Sequence, residues 1–298
     1  MSIECKRNVG IYELHGIGVR SELPIAALLK NHRVDVEVSW GEPFVVDAGN
    51  PGGRILAEFT SPTGSGYALA ENGAGYILRF FSTCEFRIRH DLKAIRVHLD
   101  PRAEPGFASL LLAGNVLATI LTLAGGCILH ASAVAFGGAV LVFVGASGMG
   151  KSTLAAVLCA NGGRLVTDDV LRVELANHGA FCYPGTTEIR LRPSAAPLAS
   201  GFNSSAVAPT ADQRIGIRLD GISSRAPVHS IVLPQPSRQT RALALRRLGA
   251  RDALLRLLRY PRILGWQAPD LVSREFRNLA TLVRTVPVYL AEVPWGPP

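Results

Sequence analysis

The chain has 298 residues, 48% of them hydrophobic, which suits one large domain or two modest ones with a substantial core. Its formal net charge of +8 favours an anionic partner such as a nucleotide or an acidic peptide. Zinc-finger spacing and an aromatic RNA-binding signature are both absent from the sequence, so we expect no nucleic-acid partner. Five scattered cysteines and the lack of an apolar signal core predict a cytoplasmic protein without a disulfide framework.

The first hundred residues are predicted to be rich in β-structure, because runs of β-branched and aromatic residues alternate with turn sequences. The predicted strands are 33–40, 76–82, 84–90 and 94–100. A short helix is predicted over 24–31. The two prolines of 100–106 predict a linker, which divides the chain into a β-rich N-terminal domain over 1–104 and a second domain over 105–298. Recognition of a substrate is one hypothesis for the first domain.

A long apolar segment opens the second domain, and no Lys, Arg, Asp or Glu occurs from Pro105 to Gly150. Residues 107–129 are long enough to span a bilayer. However, the segment contains polar residues such as Asn115, and Gly125-Gly126 ends the helix early. We therefore expect a helix buried in a globular core and no membrane partner.

The rest of the second domain is predicted to mix helices and strands. The predicted strands are 127–136 and 139–145 joined by a Gly-Gly hairpin turn, one starting at 164, 228–234, 242–249 and 286–294. A strand pair with a Pro-Gly turn is predicted over 181–193, and an irregular excursion over 194–227. The predicted helices are 107–124, 151–162, 250–259 and 269–285.

The sequence GASGMGKST at 145–153 matches the phosphate-binding pattern G-x-x-x-x-G-K-[ST] in full. A buried strand precedes it and a helix follows, as a phosphate cradle requires. Glycines let successive backbone N–H groups converge on one anion, and the helix N-terminus favours negative charge. The residues predicted to bind ATP are Gly145, Ser147, Gly148, Gly150, Lys151, Ser152 and Thr153. Lys151 would neutralise the β- and γ-phosphates, and the Ser152 hydroxyl would ligate Mg²⁺.

Two adjacent carboxylates, Asp168 and Asp169, follow the strand after the cradle helix. That position puts both at the sheet edge beside the cradle. Because adjacent strand residues point to opposite sides, we expect different roles: Asp168 as the base for an attacking hydroxyl and Asp169 as a ligand of Mg²⁺. The alternative is a simple turn with two solvated carboxylates.

Three further basic residues are candidates for the same site. His130 lies in an apolar strand that returns through a hairpin to the cradle, so it can stabilise charge near the phosphates or the aspartates; the alternative is an ordinary core histidine. Arg190 and Arg192 are candidates to grip phosphate or a peptide carboxylate, or else lie on a solvated strand face. The Arg-rich segment 238–262 could attract an acidic peptide or form an exposed helix face.

Three stretches in this order, LHASAV at 129–134, GASGMGKST at 145–153 and VTDDV at 166–170, resemble the HPr serine kinase family. YPGTTEIRLRP at 183–193 is a weaker cue. The resemblance implies an α/β fold with a mixed-sheet P-loop core like that of phosphoenolpyruvate carboxykinase. It also implies an ATP- and Mg²⁺-dependent kinase that phosphorylates a serine of a peptide or small protein, with homo-oligomerisation possible by analogy with HPr kinases.

The chain departs from bacterial HPr kinases at Thr153, where they carry Glu, and it lacks their glycine-rich HPr-binding segment. With YELHGIGVRSELPI at 12–25, it looks more like the branch that phosphorylates the C-terminal serine of lasso-peptide precursors. The alternatives are an HPr-type kinase/phosphorylase and a non-catalytic nucleotide-binding adaptor of a peptide-modifying complex. A carboxykinase and a DNA-translocating ATPase are disfavoured, the first by chain length and the second by the position of the carboxylates.

Overall fold

The computed structural model describes residues 9–29, 33–62, 64–177 and 179–295. Within these residues the chain is a mixed α/β structure whose strands form three sheets. The helices are α1 Pro105–Leu111, α2 Leu117–Leu123, α3 Lys151–Ala160, α4 Ala250–Leu257 and α5 Pro269–Thr285. A π-helical turn, Leu112–Val116, joins α1 to α2, and 3-10 helices lie at Pro193–Gly201 and Ser204–Ala206. The four helices predicted from sequence after residue 105 are confirmed.

The first sheet has nine strands in the order β3-β1-β2-β4-β9-β8-β7-β6-β5. They are β1 Gly10–Leu14, β2 Ile17–Ser21, β3 Leu28–Leu29, β4 Val36–Trp40, β5 Arg54–Thr60, β6 Gly66–Asn72, β7 Gly75–Phe80, β8 Cys84–Arg89 and β9 Ala94–Leu99. All four strands predicted in this part of the chain are present as β4, β7, β8 and β9. Most neighbours are antiparallel, but β4 pairs in parallel with both β2 and β9, so the sheet is mixed.

The second sheet also has nine strands. They are β10 Cys127–Leu129, β11 Ala131–Phe136, β12 Ala139–Val144, β13 Arg164–Thr167, β14 Leu171–Ala176, β15 Gly179–Cys182, β19 Ala226–Ser237, β20 Ala244–Arg247 and β21 Val288–Pro294. The order is β10-β14-β15-β19-β12-β11-β13, with β21 paired to β19 and β20. The predicted strand over 127–136 is broken at His130, because β10 pairs with β14 whereas β11 pairs with β12 and β13.

A third, three-stranded sheet was not expected from the sequence. Its strands are β16 Glu188–Leu191, β17 Val207–Pro209 and β18 Ile215–Arg218, in the order β16-β18-β17. The predicted pairing of strands within 181–193 is therefore wrong, since β15 pairs with β14 and β19 while β16 pairs with β18. The backbone groups of the intervening turn are bound elsewhere: the Gly185 N–H donates to the Val166 carbonyl. The predicted irregular excursion over 194–227 is also wrong, since it contains β17 and β18.

The helix predicted over 24–31 is wrong for residues 24–29; residues 30 and 31 lie outside the described residues. The Ser21 hydroxyl accepts from the Leu23 N–H and donates to the Leu23 carbonyl, at 2.9 and 2.8 Å, which forms a local turn in place of a helical one. Farther along, Leu28–Leu29 pairs with β1. Side-chain capping and strand pairing therefore take the backbone groups that a helix would need.

The charge-free helix packs into the core of the first sheet. Among the described residues, one helical segment, Pro105–Leu123, is long enough and apolar enough to cross a membrane. Its mean hydropathy is 1.8, and half of it is buried. Leu112 and Val116 belong to the same hydrophobic cluster as Phe86 of the first sheet. The buried side chains of the helix therefore share a hydrophobic core with the first sheet, and the boundary predicted near residue 104 does not separate the two. The division into two domains stays a prediction.

The direction of three strands brings the sequence motifs to one sheet edge. Strand β11 is antiparallel to both β12 and β13, so β12 and β13 run in the same direction. Their C-terminal ends, which lead into the cradle loop and into Asp168-Asp169, therefore lie at the same edge. Ala131 lies opposite Val144, so His130 is at that edge as well.

The turn between β1 and β2 inserts a buried histidine against the second sheet. His15 has no solvent exposure and a left-handed φ of 55°. Its N–H donates to the Pro184 carbonyl at 2.6 Å, and its carbonyl accepts from Arg172 Nη1 at 2.8 Å. Neither ring nitrogen has a partner among the described residues. Burial first, and then the charges of Arg172 and Arg262 against an opposing Asp169, lower the pKa of His15 to about 3.

We expect the free energy of unfolding to depend on pH through His15. The folded pKa lies below the unfolded value of about 6.5, so the unfolded chain binds the proton first and stability falls as pH decreases through that window. Between pH 7 and pH 5 the wild type should lose about 2 kcal/mol more than His15→Asn, since asparagine tolerates a left-handed φ without titrating. Urea denaturation at both pH values measures this difference. Parallel pH profiles for the two proteins would contradict a buried, neutral His15.

Candidate functional site

The cradle loop connects β12 to α3 in a conformation that depends on glycine. Gly148 and Gly150 have φ values of 91° and 84°, in the left-handed region that side chains rarely adopt. Gly150 caps α3, so the first N–H groups of the helix open toward the loop. These features are those of an anion site, in which backbone N–H groups and the helix dipole act together.

Lys151 is folded back onto its own loop. Its side-chain amine donates to the carbonyls of Gly145 and Ala146 at 2.9 and 3.1 Å, and the residue is 7% exposed. Burial lowers the pKa of Lys151 to about 8, although the charges of Asp168 and Asp169 oppose this shift. The charge of Lys151 is thus only partly balanced by its surroundings. Its amine is positioned to exchange the two carbonyl contacts for contacts with an anion.

Asp168 is the carboxylate in contact with the cradle. It is 6% exposed, and its Oδ1 accepts hydrogen bonds from the hydroxyls of Ser132 at 2.5 Å and Ser152 at 2.9 Å. Its Oδ2 accepts from the backbone N–H of Arg190 at 3.1 Å. The Asp168 carboxylate therefore accepts hydrogen bonds from two hydroxyls of the chain itself.

Asp169 is surrounded by basic side chains on three sides. Its Oδ2 accepts from Arg262 Nη2 at 2.8 Å and from Arg190 Nη2 at 3.4 Å, while its Oδ1 lies 3.1 Å from His130 Nδ1. Burial alone would raise the pKa of Asp169, but the guanidinium of Arg262, the hydrogen bond and charge of His130 and then Arg190 hold it well below its usual value. The backbone of Asp169 is left-handed, with φ of 77°. This conformation turns the side chain away from Ser152 and toward these three basic side chains.

The π-helical turn of the charge-free helix makes room for this ion pair. A Cβ on Gly114 would lie 2.9 Å from Arg262 Nη2 and 3.1 Å from Asp169 Oδ2, so only glycine permits this approach without a shift. The side-chain oxygen of Asn115 accepts from Arg262 Nη2 at 3.1 Å. Single π-helical turns often occur at functional sites, and here the turn presents a gap and an acceptor to one guanidinium.

The arginines predicted to bind substrate both reach the cradle side of the Asp pair. Arg190 forms a second ion pair with Asp212 at 2.9 Å, and Arg192 Nη2 donates to the Ser147 hydroxyl at 2.7 Å.

One cavity of about 380 Å³, named here the cradle cavity, is lined by nearly all the predicted residues. Those in its lining are His130, Ser147, Gly148, Gly150, Lys151, Ser152, Thr153, Asp168, Asp169, Arg190 and Arg192. Gly145 does not line it but accepts the bond from Lys151.

Four residues of the site were not predicted as site residues from the sequence. They are Asn115, Ser132, Asp212 and Arg262. Ser132 follows His130 by two positions, so strand alternation could have placed the two on one face. Arg262 is the last residue of the Arg-rich segment, in which nothing local marks it. Its side chain is only 9% exposed, and the Nε atom has no partner among the described residues.

The residues present fit a Mg²⁺ ion that is held mainly through phosphate oxygens. Among the described residues, no group of three or more His, Cys, Asp or Glu could hold a metal ion. Mg²⁺ is commonly bound by one or two protein oxygens together with substrate phosphates. The hydroxyl of Ser152 and the carboxylate of Asp168 are adjacent, at 2.9 Å. Ser152 therefore contacts Asp168, whereas the sequence predicted Asp169 as the second metal ligand. The assignment of Asp169 as a ligand of Mg²⁺ stays a prediction.

Comparisons with known proteins leave the family open. No family model matches the chain, and no curated protein does. Among solved structures, the HPr(Ser) kinase/phosphatase from Coxiella burnetii matches at a TM-score of 0.29 and 15% identity, covering 56% of this chain and 85% of that chain. A superposition of that quality decides neither fold nor activity. The chemistry of this chain rests on the residues of its own site.

Removal of the Arg262 guanidinium should destabilise the fold. Arg262→Leu leaves the Asp169 carboxylate with less compensation in a largely buried position, so we expect a loss of about 3 kcal/mol in the free energy of unfolding. Urea denaturation at pH 7 measures it. Arg259→Leu is the matched control, because Arg259 is exposed in the same segment and should change stability by less than about 0.5 kcal/mol. Equal losses in the two variants would contradict the importance of the Arg262–Asp169 contact.

Proposed function

We propose that this chain is an ATP-dependent phosphotransferase that phosphorylates a serine hydroxyl of a peptide or small protein. The observation that carries the proposal is the contact of Ser152 with Asp168 beside Lys151, within the cradle cavity. It joins an anion-binding loop to a carboxylate that accepts hydroxyl hydrogens. Both halves of a phosphoryl transfer, the grip on phosphate and the activation of an alcohol, therefore have residues in one place.

The cations of the cradle cavity are suited to a triphosphate. The amine of Lys151 would exchange its two carbonyl contacts for the β- and γ-phosphates, while backbone N–H groups at the start of α3 bind the same oxygens. Arg192 and His130 line the same cavity, where they would stabilise the negative charge that develops on the transferred group. The Ser152 hydroxyl would turn from Asp168 to help hold Mg²⁺, which when bound supplies positive charge that neutralises the phosphate oxygens. Asp168 would then be free to accept a proton.

Asp168 is the better base of the two aspartates. Asp169 is held by Arg262 and Arg190, and its lowered pKa makes it a weak proton acceptor. No guanidinium contacts the Asp168 carboxylate among the described residues. In the proposed step, the serine oxygen bonds to the γ-phosphorus as the bond to the β,γ-bridging oxygen breaks. The hydroxyl proton passes to Asp168, and ADP leaves with the electron pair.

The finer substrate is proposed from the family resemblance: the C-terminal serine of a ribosomally made lasso precursor peptide. An HPr-type kinase/phosphorylase is the other member of the same chemical class. Cytoplasmic location and homo-oligomerisation belong to the same set of predictions. A non-catalytic nucleotide-binding adaptor is a different class of protein. A carboxylate that accepts hydrogen bonds from hydroxyls beside the cradle favours a catalytic role over that of an adaptor.

Replacement of the base should remove phosphoryl transfer and leave nucleotide binding largely intact. With γ-labelled ATP, Mg²⁺ and a serine-ended peptide, Asp168→Asn should lower transfer at least about 100-fold, as expected for the loss of a general base. Nucleotide affinity, followed with a fluorescent ADP analogue, should fall less than about fivefold because Lys151 and the loop remain. Lys151→Ala should lose both.

The matched control is Asp220→Asn, which removes an exposed carboxylate that does not line the cradle cavity. It should retain wild-type transfer. If the wild type binds nucleotide tightly but labels no hydroxyl, the chain is an adaptor and the phosphotransferase proposal is overturned.

A further inference from the structure

A second cavity also borders the Asp pair. It has a volume of about 270 Å³ and shares Leu110, Asp168, Asp169 and Arg190 with the cradle cavity. The cradle loop does not line it. Because Asp168 borders both spaces, a hydroxyl in the second cavity and a phosphate in the cradle cavity would meet at the same carboxylate.

The walls of the second cavity come from three parts of the chain. One wall is Pro24–Ala26, just after β2 of the first sheet; a second is α1 and the π-helical turn, with Gly106, Ser109 and Gly114; the third is the small sheet β16-β18-β17 and its loop. Two of these walls belong to the region before or around the predicted domain boundary. The N-terminal part of the chain is therefore built into the surroundings of the catalytic carboxylate.

The first wall is held in place by hydrogen bonds at both ends. The Ser21 hydroxyl fixes the turn at Leu23, which is fully buried. The Thr187 N–H donates to the Ala26 carbonyl at 2.8 Å, which ties this segment to the residue before β16. The wall is thus a fixed part of the structure and not a loop that merely lies nearby.

The volume and charge of the second cavity indicate which kind of ligand it can bind. Its volume lies near the lower limit for ligand pockets, which suits one side chain and its neighbour better than a folded protein surface. Glu104 and Glu188 line it and form no ion pair with the described residues, and Arg190 is already paired with Asp169 and Asp212. Arg218 is an exposed cation opposite Glu188 on the neighbouring strand. The carboxylates exceed the available cations.

We infer that the second cavity is the entrance for the phosphate acceptor, and that it takes a serine of an extended peptide with a basic residue beside it. The inference rests on the proposed phosphotransferase function and names its acceptor site. The serine hydroxyl reaches Asp168 from the second cavity, and the basic side chain pairs with Glu104 or Glu188. The first sheet, through Pro24–Ala26, forms part of the acceptor site.

Bulky substitutions on the two walls test the position of the entrance. Ala26→Phe and Ser109→Phe, one on the first-sheet segment and one on α1, should each raise the peptide KM or lower kcat/KM at least tenfold. Ala48→Phe is the matched control, because Ala48 is an exposed loop residue of the first sheet outside both cavities. Binding of a fluorescent ADP analogue, measured in parallel, shows that the cradle is folded.

Charge substitutions test the chemistry of the acceptor. Three peptides that differ only before the terminal serine, ending in Lys-Ser, Gln-Ser and Glu-Ser, should rank in that order, with about fivefold in kcat/KM between neighbours. Glu104→Lys should reverse the order, whereas Glu42→Lys, an exposed carboxylate outside both cavities, should keep it.

The outcomes separate the two proposals. If the wild type binds no nucleotide, the phosphotransferase itself fails. If it transfers phosphate but Ala26→Phe and Ser109→Phe act on the peptide as the wild type does, the second cavity is not the entrance. Loss of nucleotide binding in both variants would place these walls at the cradle and overturn the inference. Equal rates for the three peptides, or a preference that Glu104→Lys leaves unchanged, would overturn the basic acceptor.

Discussion

The arrangement of this site depends on the compensation of one partly buried charge, that of Asp169. A carboxylate largely removed from water must be paired, and its partners here come from three distant parts of the chain: His130 before β11, Arg190 in β16 and Arg262 after α4. The left-handed backbone of Asp169 orients its side chain toward these basic groups. As a result, Asp168, its neighbour in the turn, is left to face the cradle hydroxyls.

The same turn places Asp168 between two spaces of different character. The cradle cavity gathers Lys151 and arginines around an anion-binding loop, whereas the second cavity adds carboxylates and a wall from the first sheet. Strand directions contribute to this division, because β12 and β13 end at one edge while β16, which carries Arg190, belongs to a separate sheet. An enzyme that joins a nucleotide to an alcohol needs this kind of separation, with one carboxylate common to both.

Much of the secondary structure could be predicted from the sequence because its causes are local. The helices α3 and α5 and the hairpin of β11 and β12 follow from periodicity, glycine turns and proline positions. The segments that were mispredicted are those whose backbone groups bind distant partners. The turn at Ser21–Leu23 is followed by a strand that pairs with β1, and the Pro-Gly turn before β16 bonds to β13 and to the His15 turn instead of closing a hairpin.

By itself the sequence determined the cradle loop, its helix and the aspartate pair, because these are contiguous residues whose chemistry depends on spacing along the chain. It also marked His130, Arg190 and Arg192 as candidates that the structure brings to one cavity. Only the tertiary structure decided that Ser152 meets Asp168 and that Arg262 and a π-helical turn hold Asp169. Those contacts join residues up to 147 positions apart, and no local pattern records which charges will compensate each other.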